Sequence, residues 1–259
     1  MVAKRFHSAL LIRSVRLLCL IGLIPTCLLL SNESNVTITI AILLTLIIAK
    51  GGQHIAQHRY FSHRSFETGP KREWFLGLIA TLSTTGSPIH YSAMHRSHHR
   101  HSDTKNDPQA PHHVGFFNAF FANIDFNKVA KSREIRDLLR SKPAIFFHNY
   151  YWHTIIVYCI ILALISPVWL LYGYVLPVGV SNIMSGLLNT IVHQFGYQTR
   201  PTNDISYNNH IAHILTLGEG MHNNHHHRPS AYNTNIDNKW YEWDPMAIII
   251  EKLFKVQNG

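Results

Sequence analysis

The sequence is poor in charged residues. Asp, Glu, Lys and Arg make up 14% of its 259 residues, whereas about 25% is usual in soluble globular domains. Hydrophobic residues reach 46%, and many of them stand in long runs. This composition argues against an ordinary soluble domain and favours a membrane protein.

Acidic residues and cysteines are the scarcest of the chemically informative types. The 14 acidic residues are outnumbered by 23 basic ones, which gives a formal net charge of +9. The basic residues are scattered between apolar runs, and this favours contact with anionic lipid headgroups over nucleic acid. Cys19, Cys27 and Cys159 all lie within apolar runs. We therefore expect neither a disulfide framework nor a cysteine-based metal site.

Histidine, by contrast, is abundant and clustered. The three clusters are His58 and His63; His95, His98 and His99; and His222, His225 and His226. In the second and third clusters the spacing is i, i+3 and i+4, so on a helix the three imidazoles project from one face and can share one metal ion. Neutral imidazole suits iron, zinc, copper or nickel, and the shortage of carboxylates excludes magnesium and calcium. The clusters together hold more histidines than a single ion needs.

The apolar runs predict four transmembrane helices in two hairpins. The predicted spans cover about residues 9–30, 36–56, 151–172 and 175–193, each long enough or nearly long enough to cross a bilayer. The first has the basic flank of a signal peptide but no small-residue cleavage site, so we expect an uncleaved span. We expect the second helix to continue to His58. Pro167, Gly173 and Pro177 indicate a kink and a tight turn between the last two spans.

The remaining segments, 57–150 and 194–259, are predicted to form a helical cap. It includes a charged helix from Lys128 to Lys142 that Pro143 ends, and a terminal helix with Asp244 as its N-cap. Lys and Arg crowd the amino terminus, the middle segment and the carboxy-terminal segment, which places both termini and the histidines on the cytoplasmic side. The predicted fold is a single all-α integral-membrane domain over 1–259 that carries a histidine-rich dimetal site.

The histidine clusters resemble a known set of motifs. His58-Arg-Tyr-Phe-Ser-His63, His95-Arg-Ser-His98-His99 and Gly218-Glu-Gly-Met-His222-Asn-Asn-His225-His226 resemble the three histidine boxes of integral-membrane fatty-acid desaturases, particularly the delta-9 acyl-CoA or acyl-lipid branch. Asn189-Thr-Ile-Val-His193 resembles the Asn-x-x-x-His element of the same family. The similarity runs from about His54 to Val256.

The resemblance implies a diiron centre that uses dioxygen to introduce a cis double bond into a saturated acyl chain. The implied ligands are His58, His63, His95, His98, His99, His193, His222, His225 and His226, with Asn189 acting through water. It also implies two Fe²⁺ ions and two external electrons from a separate donor of the ferredoxin or cytochrome b5 type. Basic residues near the boxes are expected to receive an acidic donor: Arg59, Arg64, Arg96, Arg100 and Lys105. The acyl chain is linked to CoA, a lipid or a carrier protein.

Several alternatives remain open at this stage. His54 and His227 flank the first and third clusters, and either can replace a nominal ligand. Four residues can accept a hydrogen bond from the second ring nitrogen of a ligand histidine: Asp103, Asp107, Glu219 and Asn223. The alternative for each is a solvated loop residue or a helix cap. A membrane diiron hydroxylase or ketolase would carry similar histidines. A non-enzymatic metal-binding or metal-transport membrane protein is the alternative from another class.

Overall fold

The fold is known from a computed structural model that describes residues 7–121 and 132–256. Within these ranges the chain is helical and contains no strand beyond isolated bridges such as that of Glu67 with Lys255. In chain order the helices are α1 (Ala9–Ile21), α2 (Leu23–Leu30), α3 (Asn35–Ser62), α4 (Pro70–Leu82), α5 (Pro88–His101), α6 (Pro111–Val114), α7 (Phe116–Phe120), α8 (Lys142–Asn149), α9 (Tyr151–Ile165), α10 (Leu171–His193), α11 (His210–Leu215), α12 (His222–His227) and α13 (Pro245–Leu253).

Two of these helices are long and apolar enough to cross a membrane by themselves. They are α3, with 28 residues, and α10, with 23. The pair α1 and α2, bent by 42°, and the pair α8 and α9, bent by 75°, pass the same test if each counts as one broken span. Large apolar side chains such as Leu18, Ile42 and Ile160 are exposed on their outer faces, as is expected of surfaces that contact lipid rather than water. The described residues therefore contain two to four candidate spans.

The boundaries of the last two candidate spans differ from the sequence prediction. The helix expected over 151–172 ends at Ile165, and α10 begins at Leu171 rather than at residue 175. Of the three residues expected to mark the kink and the turn, Pro167 lies in the observed turn between Ser166 and Leu170. The turn predicted near Gly173 is wrong, because Gly173 lies inside α10. A Cβ at Gly173 would lie 3.0 Å from both methyl carbons of Leu162. This glycine therefore permits close packing of two helices instead of making a turn.

The charged helix expected between Lys128 and Lys142 is not found where the chain is described. Residues 128–131 lie outside the described residues, and from Ser132 the chain forms only the 3₁₀ turns Ser132–Ile135 and Leu138–Arg140. Pro143 stands in the first turn of α8, so it begins a helix rather than ending one, which suits its fixed φ and missing N–H. The carboxy-terminal helix is confirmed: the Asp244 side chain accepts a hydrogen bond from the Ala247 N–H (3.0 Å) at the start of α13.

The lower part of α3 is wound as a π-helix from Leu46 to Ser62, with i→i+5 hydrogen bonds. Gly52 in this section packs directly on α4, and a Cβ there would stand 2.3 Å from the Ile79 carbonyl oxygen. One turn later the Gln57 Nε2 donates to the carbonyl oxygens of Ala80 (3.2 Å) and Gly86 (2.6 Å). These contacts fix the α4–α5 hairpin against α3, which brings the second histidine cluster beside the first.

Candidate metal centre

Nine histidines from four separate segments meet in two adjacent groups. The five-histidine group contains His58, His63, His95, His99 and His225; the four-histidine group contains His98, His193, His222 and His226. Within each group the candidate ligand nitrogens all lie within 4.8 Å of one another. The rings of His99 and His226, one from each group, stack with their centroids 4.3 Å apart. All nine histidines that the resemblance implied are therefore brought together.

The idea that one cluster serves one ion is wrong. In α5, His95 and His99 belong to the five-histidine group, whereas His98 belongs to the four-histidine group. In the third cluster, too, positions i and i+4 stay together, but His222 and His226 lie in the four-histidine group and His225 lies in the five-histidine group. At about 100° per residue, positions i and i+4 are roughly 40° apart, but i+3 lies roughly 100° from i+4. The triad therefore spans enough of the helix surface to face two centres.

The first cluster depends on the π winding of α3. His58 and His63 are five residues apart, a spacing that would turn them to different sides of an α-helix. Here the His63 N–H donates to the His58 carbonyl oxygen (3.2 Å) and closes an i→i+5 turn. The two side chains are thus one turn apart, and both reach the five-histidine group.

In the five-histidine group the Nε2 atoms point at one another. The Nε2 atoms of His63 and His95 are 2.8 Å apart, those of His58 and His225 are 3.0 Å apart, and that of His99 lies 3.1 Å from those of both His95 and His225. Each imidazole therefore presents the same nitrogen to a common point.

In the four-histidine group, aspartates hold three of the outer ring nitrogens. The Nδ1 atoms of His98, His193 and His226 lie 2.9, 3.1 and 2.6 Å from the carboxylates of Asp107, Asp103 and Asp204, respectively. Each contact directs the opposite nitrogen, Nε2, inward and fixes the tautomer that can bind a metal. The sequence prediction named Asp103 and Asp107 but missed Asp204, which is 22 residues from His226 and has no local sequence signal.

The aspartates also set the charge of this group. Burial raises the pKa of Asp103 and Asp107, but the hydrogen bonds and charge of His193 and His98 outweigh it, so both pKa values lie below the usual range. Burial would lower the pKa of His98, yet Asp107 reverses this and raises it. For His226 burial prevails over Asp204 and lowers the pKa to about 4. The four-histidine group is therefore flanked by carboxylates that stay ionised near neutral pH.

The remaining histidines outside the candidate spans are held neutral mainly by burial. It lowers the pKa well below the ordinary histidine value for His63, His95, His99, His222 and His225. Neighbouring histidines lower these values further. A neutral imidazole keeps its lone pair available, which is the form that binds a metal ion.

The donor set fits a pair of transition-metal ions. The inner Nε2 of His226 is buried and has no hydrogen-bond partner, which is costly unless a ligand satisfies it. Nitrogen donors in this number suit iron and its neighbours and do not suit magnesium or calcium. The two groups are therefore histidine clusters that can bind metal.

Three of the residues considered from sequence lie outside the two groups. His54 faces Glu219, with its Nδ1 3.7 Å from a carboxylate oxygen, and the exposed His227 contacts the Pro201 carbonyl oxygen. Asn189 lies one turn before His193, and its Nδ2 donates to the Ala119 carbonyl oxygen (3.3 Å). Neither His54 nor His227 belongs to either group.

Asn223 and Glu219 contact backbone and basic groups and do not contact the outer nitrogen of a histidine in either group. The Asn223 Oδ1 accepts from the N–H groups of Thr199 and Arg200. The Glu219 carboxylate accepts from Lys50 Nζ (3.4 Å) and Arg59 Nη2 (3.1 Å). Of the four residues predicted to contact the outer nitrogen of a histidine in the two groups, only Asp103 and Asp107 do so.

A buried ion network ties α3 to the segment that precedes the third cluster. Besides Glu219, Arg59 contacts the Asp244 carboxylate (3.0 Å) and donates to the Tyr232 carbonyl oxygen. The Arg59 side chain is 2% exposed, so its predicted role in donor docking is excluded. Gly220 lets the same segment approach α11, since a Cβ there would lie 2.3 Å from the His213 backbone nitrogen. Breaking a fully paired buried network of this kind is strongly destabilising.

A cavity leads from α1 to both histidine groups. Its walls include His58, His95 and His225 from the first group, and His98, His193 and His222 from the second. The side chains of Arg16, Met94, Leu188 and Asn189 also line it. The histidines therefore stand at the wall of an internal space and not on an open surface.

Comparisons with known proteins agree with this arrangement. A family model described as fatty acid desaturase matches residues 34–245. The sn-1 stearoyl-lipid 9-desaturase of Anabaena variabilis is 30% identical over 227 residues, which cover 86% of this chain and 82% of that protein. Delta-9 acyl-lipid desaturase 1 of Arabidopsis thaliana is 27% identical over 207 residues, 78% of this chain and 67% of that one.

A third relative links the chain to proteins that act on another kind of acyl carrier. Acyl-CoA desaturase 1 of Saccharomyces cerevisiae is 27% identical over 263 aligned residues, which cover 95% of this chain and 50% of that protein. The family match covers most of the chain and includes every histidine of the two groups. The chain therefore belongs to the fatty acid desaturase family, and it is an oxidoreductase that acts on fatty-acyl chains.

Proposed function

We propose that this protein introduces a cis double bond, at the delta-9 position, into a saturated acyl chain within the membrane. The observation that carries the proposal is the pair of adjacent histidine groups on the wall of one cavity between apolar helices. Two of the relatives described above are named as 9-desaturases of acyl lipids. This supports the position of the double bond and favours a lipid-linked substrate.

We further propose that the two groups hold two iron ions. The five-histidine group would bind one ion, and the four-histidine group the other, with Asn189 acting through water. When bound, such an iron pair supplies the activation of dioxygen that removal of hydrogen from an unactivated methylene requires. Overall, the acyl chain loses two hydrogens, and these, with two electrons and two protons from outside, reduce dioxygen to two waters.

The chain's own residues have three tasks in this reaction. Asp103, Asp107 and Asp204 orient the imidazoles of the four-histidine group by accepting from their Nδ1–H groups. The Arg59 network keeps the third cluster in register with α3. The cavity holds the acyl chain away from bulk water, so that the reacting carbons meet the metal centre in one orientation.

For the membrane arrangement, we propose four spans in two hairpins. The bent pair α1–α2, then α3, the α8–α9 pair and α10 would be these spans, and the rest of the chain a cytoplasmic cap. An even number of crossings keeps both termini and both histidine groups on one side. The excess of Lys and Arg in the non-spanning segments supports the cytoplasmic side.

A separate electron donor would dock on the cap. Of the basic residues considered for docking, Arg64, Arg100 and Lys105 remain exposed, with Arg64 paired with Asp137 and Arg100 with Glu134. The Arg96 guanidinium is engaged by Asp137 and by the carbonyl oxygens of Phe61 and Ser62. A small acidic ferredoxin or a cytochrome b5-type domain has the complementary charge.

The decisive experiment is expression in a host that lacks its own desaturase, followed by fatty-acid profiling and chemical location of the double bond. We expect monounsaturated product with its double bond at carbon 9. A product heavier by one oxygen atom would identify a hydroxylase instead. Metal analysis of the purified chain should give about two irons per protein, and zinc in place of iron would contradict the proposed centre.

A further inference from the structure

Helix α11 presents an apolar face on the outside of the cap. Ile211, Ile214 and Leu215 are 69, 63 and 53% exposed, respectively, and their i, i+3 and i+4 spacing places them on one side of the helix. His213, on the other side, is 1% exposed. Residues 205–217 contain no Asp, Glu, Lys or Arg. An exposed apolar surface of this kind indicates an interaction site rather than contact with water.

Helix α11 lies beside two of the candidate spans. At its start, the side chain of the N-cap residue Asn209 donates to the carbonyl oxygen of Phe195 (2.9 Å), just after the end of α10. At its other end, the Thr216 carbonyl oxygen accepts from the Lys50 Nζ (2.7 Å) of α3. Lys50 precedes His58 by eight residues, so in the proposed arrangement it stands roughly two helical turns nearer the bilayer centre. The helix is therefore on the membrane side of the cap.

The apolar surface of α3 leads directly to this contact. Leu46 and Ile47 lie about one turn before Lys50 and are 41 and 43% exposed. They belong to a helix that is long and apolar enough to cross a membrane, and apolar side chains exposed on such a helix are expected to contact lipid. The exposed face of α11 therefore begins where the lipid-facing surface of α3 ends.

Exposed tryptophans stand next to α11. The Trp243 ring lies against His213, with the ring centroids 4.7 Å apart, and the Tyr241 ring lies 5.4 Å from that of His210. Trp243 is 38% exposed and Trp240 is 88% exposed. Trp and Tyr are enriched where a membrane meets water, because one part of each side chain is apolar and the other forms hydrogen bonds. Their position beside the apolar face points to lipid as its partner.

We propose that α11, with Trp240 and Trp243, lies in the interface of the bilayer and buries its apolar face among the upper parts of the acyl chains. The lack of charged residues in 205–217 argues against an acidic electron donor as the partner, since such a donor needs basic groups opposite it. The Asn209 N–H donates to the Gly220 carbonyl oxygen (2.9 Å), so the same lipid contact supports the segment that leads into His222. The inference rests on the proposed membrane arrangement and adds a lipid contact within the cap.

Spin labels on the exposed face measure its depth in the bilayer. The three native cysteines are replaced by alanine, and the full-length protein is labelled at Ile211→Cys or Ile214→Cys. It is then reconstituted in nanodiscs of phosphatidylcholine and phosphatidylglycerol. Collision rates with oxygen, which concentrates in lipid, and with a water-soluble nickel chelate are compared. Both labels are expected to favour oxygen and to lie about 5–10 Å below the headgroup boundary.

Two further labels calibrate the measurement. Ile160→Cys, on the exposed side of α9, should favour oxygen more strongly, and Lys105→Cys, at an exposed position in the loop after α5, should favour the chelate. All four substituted positions are exposed, so none of the labels requires a change in the core.

Each outcome decides the inference. Labels at Ile211 and Ile214 that favour the chelate as strongly as the label at Lys105 overturn it, because α11 then faces water. Labels protected from both reagents overturn it as well, since the face is then covered by protein, either another copy or another part of this chain. A label at Ile160 that favours the chelate would remove the proposed membrane arrangement itself, and with it the inference.

Discussion

The two histidine groups differ in what contacts the outer ring nitrogens of their histidines. In the four-histidine group, three of the outer nitrogens are held by aspartates, at 2.9 Å for His98, 3.1 Å for His193 and 2.6 Å for His226. In the five-histidine group, no carboxylate among the described residues makes such a contact with a member. The four-histidine group is therefore oriented by three aspartate carboxylates, whereas the five-histidine group consists of imidazoles without carboxylate contacts.

This contrast indicates a division of labour between the two centres. A carboxylate that accepts a hydrogen bond from the outer nitrogen of an imidazole makes the inner nitrogen a stronger electron-pair donor, and this favours binding of a divalent metal ion. Imidazoles without them depend on burial alone to stay deprotonated, and they release a metal ion more easily. We therefore expect the four-histidine group to fill first and to lose its metal last.

Loss of a ligand from either group should have the largest effect. His95→Ala removes a histidine from the five-histidine group and His98→Ala removes one from the four-histidine group, although both changes lie on one turn of α5. Each variant is expected to form no unsaturated product. This is a larger effect than the roughly 10- to 100-fold loss of activity or metal affinity that is typical when a residue contacting a ligand's outer nitrogen is replaced. Iron analysis should separate them, because His95→Ala should retain the metal of the four-histidine group. Near-wild-type activity in either variant would remove that histidine from the centre.

Removal of an aspartate should have an intermediate effect that is confined to one group. Asp204→Asn takes away the carboxylate behind His226 and should weaken the tighter of two metal-binding steps roughly 10- to 100-fold. Stepwise titration of metal-free protein with Fe²⁺ measures both steps. Asp237→Asn, at an ion pair with Arg200 and Lys239 outside the centre, is the matched control. An equal change in both steps would contradict the division described above.

Acidification should destabilise the metal-free protein. The folded pKa of His226 is about 4, because burial disfavours its charged form, whereas an unfolded histidine titrates near 6.5. Between these values the unfolded chain binds more protons, so stability is complete above about pH 6.5 and declines as the pH falls toward 4. The melting temperature of the metal-free protein in detergent should therefore drop across this window. A flat profile would mean that the buried histidines already bind protons when folded.

The smallest effect is expected just beyond the third cluster. His227 is exposed and belongs to neither group, so His227→Ala should change activity less than about twofold, as is usual for surface substitutions. The iron content should stay at the wild-type value. A loss of one iron would mean that His227 exchanges with a nominal ligand and that the four-histidine group is incompletely defined.

Sequence reasoning was most successful where the information is local. The apolar runs indicated the candidate spans, and the proline and aspartate at the start of α13 indicated its cap. Residue spacing with the family resemblance named the nine histidines that the structure brings together. Local patterns failed at the turn assigned to Gly173 and at the helix said to end at Pro143. Glycine and proline have more than one structural use, and the neighbouring elements decide which applies.

The chain's sequence by itself determined the supply of imidazoles, their spacing and the apolar helices that surround them. The tertiary structure alone decided which imidazoles meet, because His225 reaches His99 from 126 positions away. It also decided that Asp204 stands behind His226 and that Arg59 is buried. These outcomes depend on contacts between distant segments, and such contacts form only when helix packing has fixed the direction of each side chain.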